Sequence, residues 1–166
     1  MSHFELKTSR LILRDFNHNV IQDYLALYEN PEYCRFYPAK DIEKNYQKSV
    51  AQEFISSAKQ IPRTNYSLAI TTDKNNQFIG IISLRLLGNQ KADFGCGIDY
   101  RYQNKGYAKE ALNEIFHHAF ENLDLIEINA ETHKDNLAAK HLCTTFGFKL
   151  ISENQTTSYF KLKKIN

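Results

Sequence analysis

The sequence predicts an α+β fold in which a mixed central sheet of about seven strands is flanked by about four helices. Apolar residues recur with a two-residue period in several short runs and with a helical period in longer ones, so both element types are expected. The strands of the first half follow one another through polar turns, which is typical of an antiparallel meander. One later strand, helix, strand unit predicts two parallel neighbours. The 166 residues are expected to form a single domain, 1–166, with a buried core.

The beginning of the chain is predicted to form a strand followed by two helices. The run R-L-I-L-R-D-F is rich in strand-forming residues, and Asn17 or Asn19 behind it can cap a helix. That helix must stop before Pro31, because a proline disfavours helical backbone in the residue that precedes it, and Asp41 can cap the next helix. In chain order, the predicted elements are a strand at 10–16, a helix at 20–28, a proline-bounded loop at 30–38 and a helix at 41–59.

The middle of the chain has the pattern of a meander. Two apolar-rich runs stand on either side of the polar turn D-K-N-N-Q, which predicts an antiparallel hairpin. A third run contains Gly95 and Gly97, and glycine weakens the interior of a strand. We interpret the two glycines as marks of a bulge or of a close ligand approach, with packing against a bulky neighbour as the alternative. The predicted strands cover 65–71, 78–86 and 92–98.

The second half of the chain contains the strongest helix signal. Between Ala108 and Phe120, apolar residues recur at i, i+3, i+4, i+7 and i+8, the spacing of one buried helix face. The run that follows alternates apolar with polar residues, and it predicts a strand parallel to the one before the helix. The predicted elements are a helix at 105–122, a strand at 125–132, a helix at 136–145 and strands at 148–152 and 158–163.

Composition and charge narrow the classes of function. Lys and Arg number 21 against 19 Asp and Glu, and a formal net charge of +2 is too small for a protein that coats nucleic acid. No apolar stretch approaches the roughly 18 residues of a membrane span, and the first residues carry no secretory signal. The cysteines show no C-x-x-C spacing, so neither a disulfide framework nor a metal site is expected. These features predict a cytoplasmic protein, a monomer or a homodimer, without membrane or nucleic-acid partners and without a metal.

The stretch Q-N-K-G-Y-A, residues 103–108, stands where the long helix begins. A helix start leaves backbone N–H groups unpaired and carries a partial positive charge, which suits a phosphate. Gly106 would let the backbone approach such a ligand, and Ala108 is too small to fill its place. The stretch lacks the G-K-[ST] of a P-loop and the G-x-G-x-x-G of a dinucleotide site. On these residues alone, an anion site and an ordinary helix start both remain open.

Several other stretches occur with Q-N-K-G-Y-A in one order along 8–150. They are T-S-R-L-I-L-R-D-F, N-P-E-Y-C-R-F-Y, F-I-G-I-I-S-L and D-N-L-A-A-K-H-L-C-T-T-F-G-F. These motifs resemble those of the GNAT N-acetyltransferases, in particular the RimJ/RimL-like branch of ribosomal-protein N-terminal acetyltransferases, and Q-N-K-G-Y-A fits the family's Q/R-x-x-G-x-G/A acyl-CoA signature. The resemblance implies the GNAT fold and a direct transfer of the acetyl group from acetyl-CoA to a primary amine.

The resemblance also implies how acetyl-CoA is held. Main-chain N–H groups of the glycine turn would bind the diphosphate, and strand-like backbone bonds would bind the pantetheine arm. The start of the next helix would contact the cofactor as well. The residues so implied are Gln103, Asn104, Lys105, Gly106, Tyr107 and Ala108 for the diphosphate, Ile98 and Tyr100 for the pantetheine arm, and Asn136 for the last contact.

The chemistry requires a base, because an α-amine titrates at about pH 8 and a lysine amine at about 10.4, whereas the attacking nitrogen must be neutral. Asp93 is the first candidate, acting through water, since the related branch has a glutamate at this place. The alternative for Asp93 is a solvated carboxylate at a strand start. His133, at the end of its predicted strand, is a second candidate base.

The proton donor for the leaving thiolate is left open. Ala139 and Cys143 stand where the family has a helper serine and a tyrosine that acts as general acid. The thiolate would then take its proton from water, from Tyr102 or from Tyr107. Of the two tyrosines, Tyr107 is the predicted catalytic residue. Cys96 could be imagined as an acyl-carrying nucleophile, but no histidine stands in register to activate it. A free cysteine is more often a small buried apolar residue.

An aromatic cluster between the two prolines suits an acceptor cleft. Tyr33, Phe36 and Tyr37 with Arg35 could line a site for a peptide terminus or an amphipathic small molecule, with loop packing onto the core as the alternative. The acceptor is therefore a protein N-terminus or a small-molecule amine. A third hypothesis, from another class, is a GNAT fold that binds acyl-CoA as a sensor without catalysis.

Overall fold

The computed structural model describes residues 4–165, which form one eight-stranded sheet in the order β1-β2-β3-β4-β5-β6-β8-β7. The strands are β1 (Glu5–Lys7), β2 (Leu11–Asp15), β3 (Asn65–Thr72), β4 (Phe78–Gly88), β5 (Lys91–Ile98), β6 (Glu127–His133), β7 (Lys149–Glu153) and β8 (Thr157–Lys163). The helices are α1 (Ile21–Leu27), α2 (Pro31–Cys34), α3 (Lys44–Ser57), α4 (Tyr107–Glu121) and α5 (Leu137–Thr145). The predicted α+β class with a mixed sheet is confirmed. Within residues 4–165, none of the helices combines the length and the apolar character needed to cross a membrane.

The parallel pair of strands defines the centre of the molecule. β5 pairs with β6 in parallel, as predicted, but only between residues 91–94 and 127–130. β5 nevertheless stays paired with β4 up to Ile98. The register is unbroken from the Leu86–Ala92 pair to the Gly80–Ile98 pair. The expected bulge at Gly95 and Gly97 is therefore wrong. A gap opens because β6 diverges from β5 after Phe94, and not because β5 kinks.

The two faces of the sheet carry separate apolar cores. On one face, the predicted stripe of α4 is buried against the sheet, with Leu112 at 1% and Ile115 at 0% exposure, and each such side chain contributes roughly 1.5–3 kcal/mol. The same core includes Cys143 of α5. On the other face, α1 and α3 pack on the sheet through residues such as Tyr24 and Ile55.

Short elements account for most differences from the prediction. The three-residue strand β1 pairs with β2 and is too short to show a period. α2 lies in the predicted loop, because the Asn30 side chain accepts hydrogen bonds from the N–H groups of Glu32 and Tyr33 and Pro31 occupies the first turn. α3 begins at Lys44, after a 3₁₀ turn (Ala39–Ile42) that contains the expected cap, Asp41.

Candidate active site

The turn before α4 presents a row of unpaired backbone donors. Asn104 and Gly106 both have a left-handed backbone, with φ of 58° and 78°, and Gly106 is the N-cap of α4. Within residues 4–165, the backbone N–H groups of 104–109 have no protein acceptor. Such consecutive free amides at a helix start form a concave anion site. The amides expected to be free are free from Asn104 to Ala108, but the expectation is wrong for Gln103, whose N–H donates to the Tyr100 carbonyl at 3.3 Å and closes the 3₁₀ turn. Binding of a diphosphate by this turn stays a prediction.

The carboxylate of Glu110, one turn into α4, ties this helix to the segment before β2. It accepts hydrogen bonds from the Thr8 hydroxyl (2.5 Å), the Ser9 hydroxyl (3.1 Å) and the Arg10 backbone N–H (2.8 Å), and from Arg10 Nε at 2.6 Å. Burial alone would raise the pKa of Glu110, but the hydrogen bonds from Thr8, Arg10 and Ser9 outweigh it and hold the pKa below its usual value. Glu110 is therefore an ionised anchor.

Arg10 extends this anchor to the turn itself. Its Nη1 donates to the Lys105 carbonyl at 3.1 Å, and its guanidinium lies 4.5 Å from the centre of the Tyr107 ring. The Lys105 carbonyl is thereby held by Arg10, and the N–H groups that follow it stay available to a ligand. Arg10 and Glu110 are site-supporting residues that the sequence reasoning missed, although T-S-R was one of the quoted motifs.

The gap between β5 and β6 holds a cavity of about 810 Å³. Its walls come from both separating strands, from α5 and from the segment after α2, and they include Phe94, Gly95, Cys96, Leu112, Ala130, Glu131, Thr132, His133, Leu142 and Phe148. We call this space the gap cavity.

The edge of β5 that faces the gap cavity carries free backbone groups. The Asp99 N–H donates to the Ile79 carbonyl of β4, so by the alternation of an antiparallel ladder the groups of Cys96 and Ile98 point towards β6. β6 has already diverged there, and the Ile98 carbonyl instead accepts from Gln103 Nε2 at 3.0 Å. Tyr100 lies beyond the strand in a 3₁₀ turn (Tyr100–Tyr102), so the strand-like bonds expected of it are wrong.

A second cavity, of about 630 Å³, lies on the sheet face that carries α3. Its walls are more polar and include Glu53, Asn65, Ser67, Ser83, Arg85, Asp93, Asn129, Ile151, Tyr159 and Lys161. We call it the polar cavity. It shares four lining residues with the gap cavity, Phe94, Gly95, Ala130 and Glu131, so the two spaces meet where β5 and β6 separate.

Asp93 lies in the wall of the polar cavity, as a candidate base should. Its carboxylate is held by Arg85, with Nη2 at 2.6 Å, and is within 3.4 Å of Asn129 Nδ2. Arg85, which the sequence reasoning did not single out, therefore neutralises this carboxylate. A base role for Asp93 stays a prediction.

The predicted acceptor residues divide into two groups. Arg35, Phe36 and Tyr37 line the gap cavity. Tyr33 lines neither cavity: it stacks on Tyr37 at 5.7 Å, and its hydroxyl lies 2.3 Å from where a Cβ on Gly97 would stand. Gly97 is thus explained by packing, the alternative considered above. Burial raises the pKa of Tyr33 well above its usual value, so its hydroxyl stays protonated.

The two other candidate catalytic residues occupy different places. His133 lines the gap cavity and stacks on Phe36 at 5.3 Å, while its Nδ1 accepts the Asp135 N–H at 3.2 Å. Tyr107 lines neither cavity and packs under Arg10. Among residues 4–165, no three His, Cys, Asp or Glu side chains are grouped so that they could hold a metal ion.

The start of α5 completes the gap cavity. Asn136 lines it, but its side-chain oxygen is already used to cap α5 through the Ala139 N–H at 3.1 Å. Burial raises the pKa of Cys96 to about 12 and that of Cys143 to about 11. Both thiols therefore stay protonated at neutral pH, and neither is suited to carry an acyl group, because the thiolate is the nucleophile.

A mixed sheet whose parallel strands separate, with a helix start and free amides after the first of them, agrees with the fold that the resemblance to the GNAT N-acetyltransferases implies. The sequence comparison agrees, since the Acetyltransferase (GNAT) domain profile matches residues 10–149. This chain belongs to that family and is an acetyl-CoA-dependent acetyltransferase.

One relative agrees with this assignment by sequence, and two solved structures share the fold. The chain is 26% identical over 147 residues to the uncharacterized N-acetyltransferase YoaA of Bacillus subtilis, which covers 87% of this chain and 82% of YoaA. Among solved structures, RimL, a ribosomal L7/L12 alpha-N-protein acetyltransferase, in complex with coenzyme A superposes with a TM-score of 0.81 at 14% identity, covering 96% of this chain and 98% of RimL. RimJ of Mycobacterium smegmatis gives 0.76 at 13% identity, covering 97% and 86%.

Proposed function

We propose that this protein transfers the acetyl group of acetyl-CoA directly to a primary amine, and that the acceptor is the N-terminal amine of a protein. One observation carries the proposal: the gap cavity meets the polar cavity at Gly95 and Glu131, and β5 runs on from this junction to Ile98, whose carbonyl accepts from Gln103 just before the free amides of 104–109. A thioester in the first space and an amine in the second would come together at that junction. Holding two reactants in this way supplies a large part of the rate enhancement of a direct transfer.

The cofactor contacts are part of the proposal. The free amides from Asn104 to Ala108 bind the diphosphate, with Gln103 positioning the strand end through the Ile98 carbonyl. The pantetheine arm pairs with the free edge of β5 at Cys96 and Ile98, in place of the diverging strand. Asn136 contacts the cofactor through its amide nitrogen, since its oxygen caps α5. The whole chain, 1–166, acts as one domain.

The choice of a protein N-terminus rests on two features. The polar cavity is open, polar and bordered by Tyr159 and Ile151, so a peptide can extend from it while its amine reaches the junction. The similar RimL is named for alpha-N-protein acetylation. A small-molecule amine is the second candidate, because the cavity is also large enough for such a ligand.

An acceptor screen tests the proposal. Release of free coenzyme A thiol is measured with peptides that carry a free N-terminus, with the same peptides blocked at the N-terminus, and with polyamines and aminoglycosides. We expect thiol release with free peptides and none with blocked ones. Turnover of small amines alone would favour the second candidate. Saturable acetyl-CoA binding without any thiol release would contradict catalysis and favour a sensor.

Glu110→Ala is expected to weaken acetyl-CoA binding about tenfold, equivalent to about 1.4 kcal/mol. Without this carboxylate, Thr8 and Arg10 lose their shared acceptor, and Arg10 no longer holds the Lys105 carbonyl. Calorimetric titration with acetyl-CoA measures the change. Glu114→Ala, one turn further along α4, is the matched control and should bind as the wild type does. Equal affinity in both variants would show that the anchor does not position the turn.

A further inference from the structure

We propose that Glu131 is the catalytic carboxylate that accepts the proton of the acceptor amine. The inference rests on the proposed function and assigns its base. Glu131 is one of the residues that border both cavities, and it follows Ala130, the last residue of β6 that pairs with β5. A group at this place is within the space where a thioester and an amine would meet.

The face on which Glu131 lies is fixed by strand register. Asn129 is paired with Asp93, and alternate residues of a strand share a face, so Glu131 points to the same side as Asp93. Continued by two residues, the register would bring Glu131 opposite Gly95. Gly95 has no side chain, and a Cβ there would come near the Ser83 hydroxyl, at 3.1 Å. The space beside Glu131 is therefore free for a ligand.

Glu131 differs from the other charged side chains that the strands contribute to the polar cavity, because those are held in ion pairs. Asp93 is held by Arg85 at 2.6 Å, and Lys161 is held by Glu127 at 3.1 Å, with Lys91 on the same carboxylate at 3.3 Å. Within residues 4–165, the Glu131 carboxylate has no ion pair and no hydrogen bond. An unpaired carboxylate attracts the ammonium form of an amine, which a neutralised one does not.

Among the residues that the structure describes, one further carboxylate of the polar cavity has no ion pair, that of Glu53. It belongs to α3, on the far wall, and does not border the gap cavity. Of the acidic side chains in the polar cavity, only Glu131 combines an unpaired charge with a place at the junction.

In the proposed step, the acceptor amine binds beside Glu131 in its ammonium form. It gives one N–H proton to Glu131, which, being exposed, passes it on to solvent. The nitrogen lone pair that is freed attacks the thioester carbon, the C–N bond forms, and the nitrogen, which has become positively charged and acidic, gives its second proton to Glu131. The C–S bond breaks with its electron pair on sulfur, and the thiolate of coenzyme A takes one proton from water. Asp93, paired with Arg85, shapes the wall beside the amine.

Glu131→Gln tests the assignment, because it keeps the shape of the side chain and removes the charge. We expect kcat to fall by about 100-fold or more, the usual contribution of a general base. Below the pKa of the amine, the remaining turnover should rise about tenfold per pH unit, since only the free amine then reacts. The affinity for acetyl-CoA, measured by calorimetry, should not change. Asp23→Asn removes an exposed carboxylate of α1 that lines neither cavity, and it should leave kcat unchanged.

Two results would overturn the assignment separately from the proposed function. If the wild type turns over and Glu131→Gln keeps kcat within about threefold and the wild-type pH profile, Glu131 is not the base. If Asp93→Asn shows the large loss and the altered profile instead, the base is Asp93. Absence of thiol release by the wild type with every amine, beside intact acetyl-CoA binding, would reject the proposed function and the role of Glu131 together.

Discussion

Gly106→Asp is expected to abolish measurable acetyl-CoA binding while the protein remains folded. Gly106 has φ of 78°, and an added Cβ would meet no atom closer than Arg10 Nη2, at 3.4 Å. An aspartate can adopt this left-handed backbone at modest cost, so the fold should persist. Its carboxylate, however, adds negative charge among the free amides where the diphosphate is proposed to lie. We expect a loss of at least about 100-fold in affinity, or about 2.7 kcal/mol.

A matched variant separates charge from bulk. Gly106→Asn has nearly the same shape as Gly106→Asp and no charge, and asparagine also tolerates a left-handed backbone. It should therefore bind acetyl-CoA more weakly than the wild type but clearly more tightly than the aspartate variant. Calorimetry gives the affinities, and circular dichroism checks that both variants are folded. Wild-type affinity in Gly106→Asp would mean that the diphosphate binds elsewhere.

Gly80→Ala is expected to lower the free energy of unfolding by about 3 kcal/mol, the upper end of the range for overpacking. An added Cβ would stand 2.3 Å from the Gly97 carbonyl oxygen and 3.1 Å from the Ile98 Cα. These are backbone atoms, so they can move only if the β4–β5 ladder opens. The damage would fall on the strand whose other edge faces the gap cavity, and acetyl-CoA affinity should fall as well.

Gly95→Ala is the control for this change, because it adds the same methyl group on the neighbouring strand. There the nearest atom is the Ser83 hydroxyl at 3.1 Å, the end of a side chain that can rotate. Chemical denaturation should give a stability close to that of the wild type. If Gly80→Ala unfolds at the same denaturant concentration as Gly95→Ala, the tight approach of β4 and β5 has no energetic weight.

The main features of the fold follow from periodicity. The apolar spacing of α4 predicted its buried face, and the strand, helix, strand order predicted the parallel pair β5 and β6. β1 and α2 were missed because a pattern needs more than three or four residues to show its period. The bulge was a wrong interpretation of the two glycines: Gly97 instead makes room for Tyr33, a contact between residues far apart in sequence.

The site was less accessible to sequence reasoning because ion pairs across the sheet are invisible in it. Asp93 stood out because the related branch has a glutamate at this place, but its pairing with Arg85 depends on the register of β4 and β5. Glu131 could have been found, since the alternation of β6 already placed it on the polar face with Asn129. The sequence does not reveal that the pairing of β6 with β5 ends at Ala130, one residue before Glu131.

The junction of the two cavities also determines how the reaction must be ordered. The gap cavity and the polar cavity share only four lining residues, all at the junction. A molecule bound in one cavity therefore leaves the remaining walls of the other cavity accessible. Neither reactant then excludes its counterpart, and the protonated thiols of Cys96 and Cys143 offer no covalent carrier between two half-reactions. Initial-rate kinetics should accordingly be sequential, with double-reciprocal lines that intersect instead of running parallel, and coenzyme A should inhibit competitively against acetyl-CoA but not against the amine.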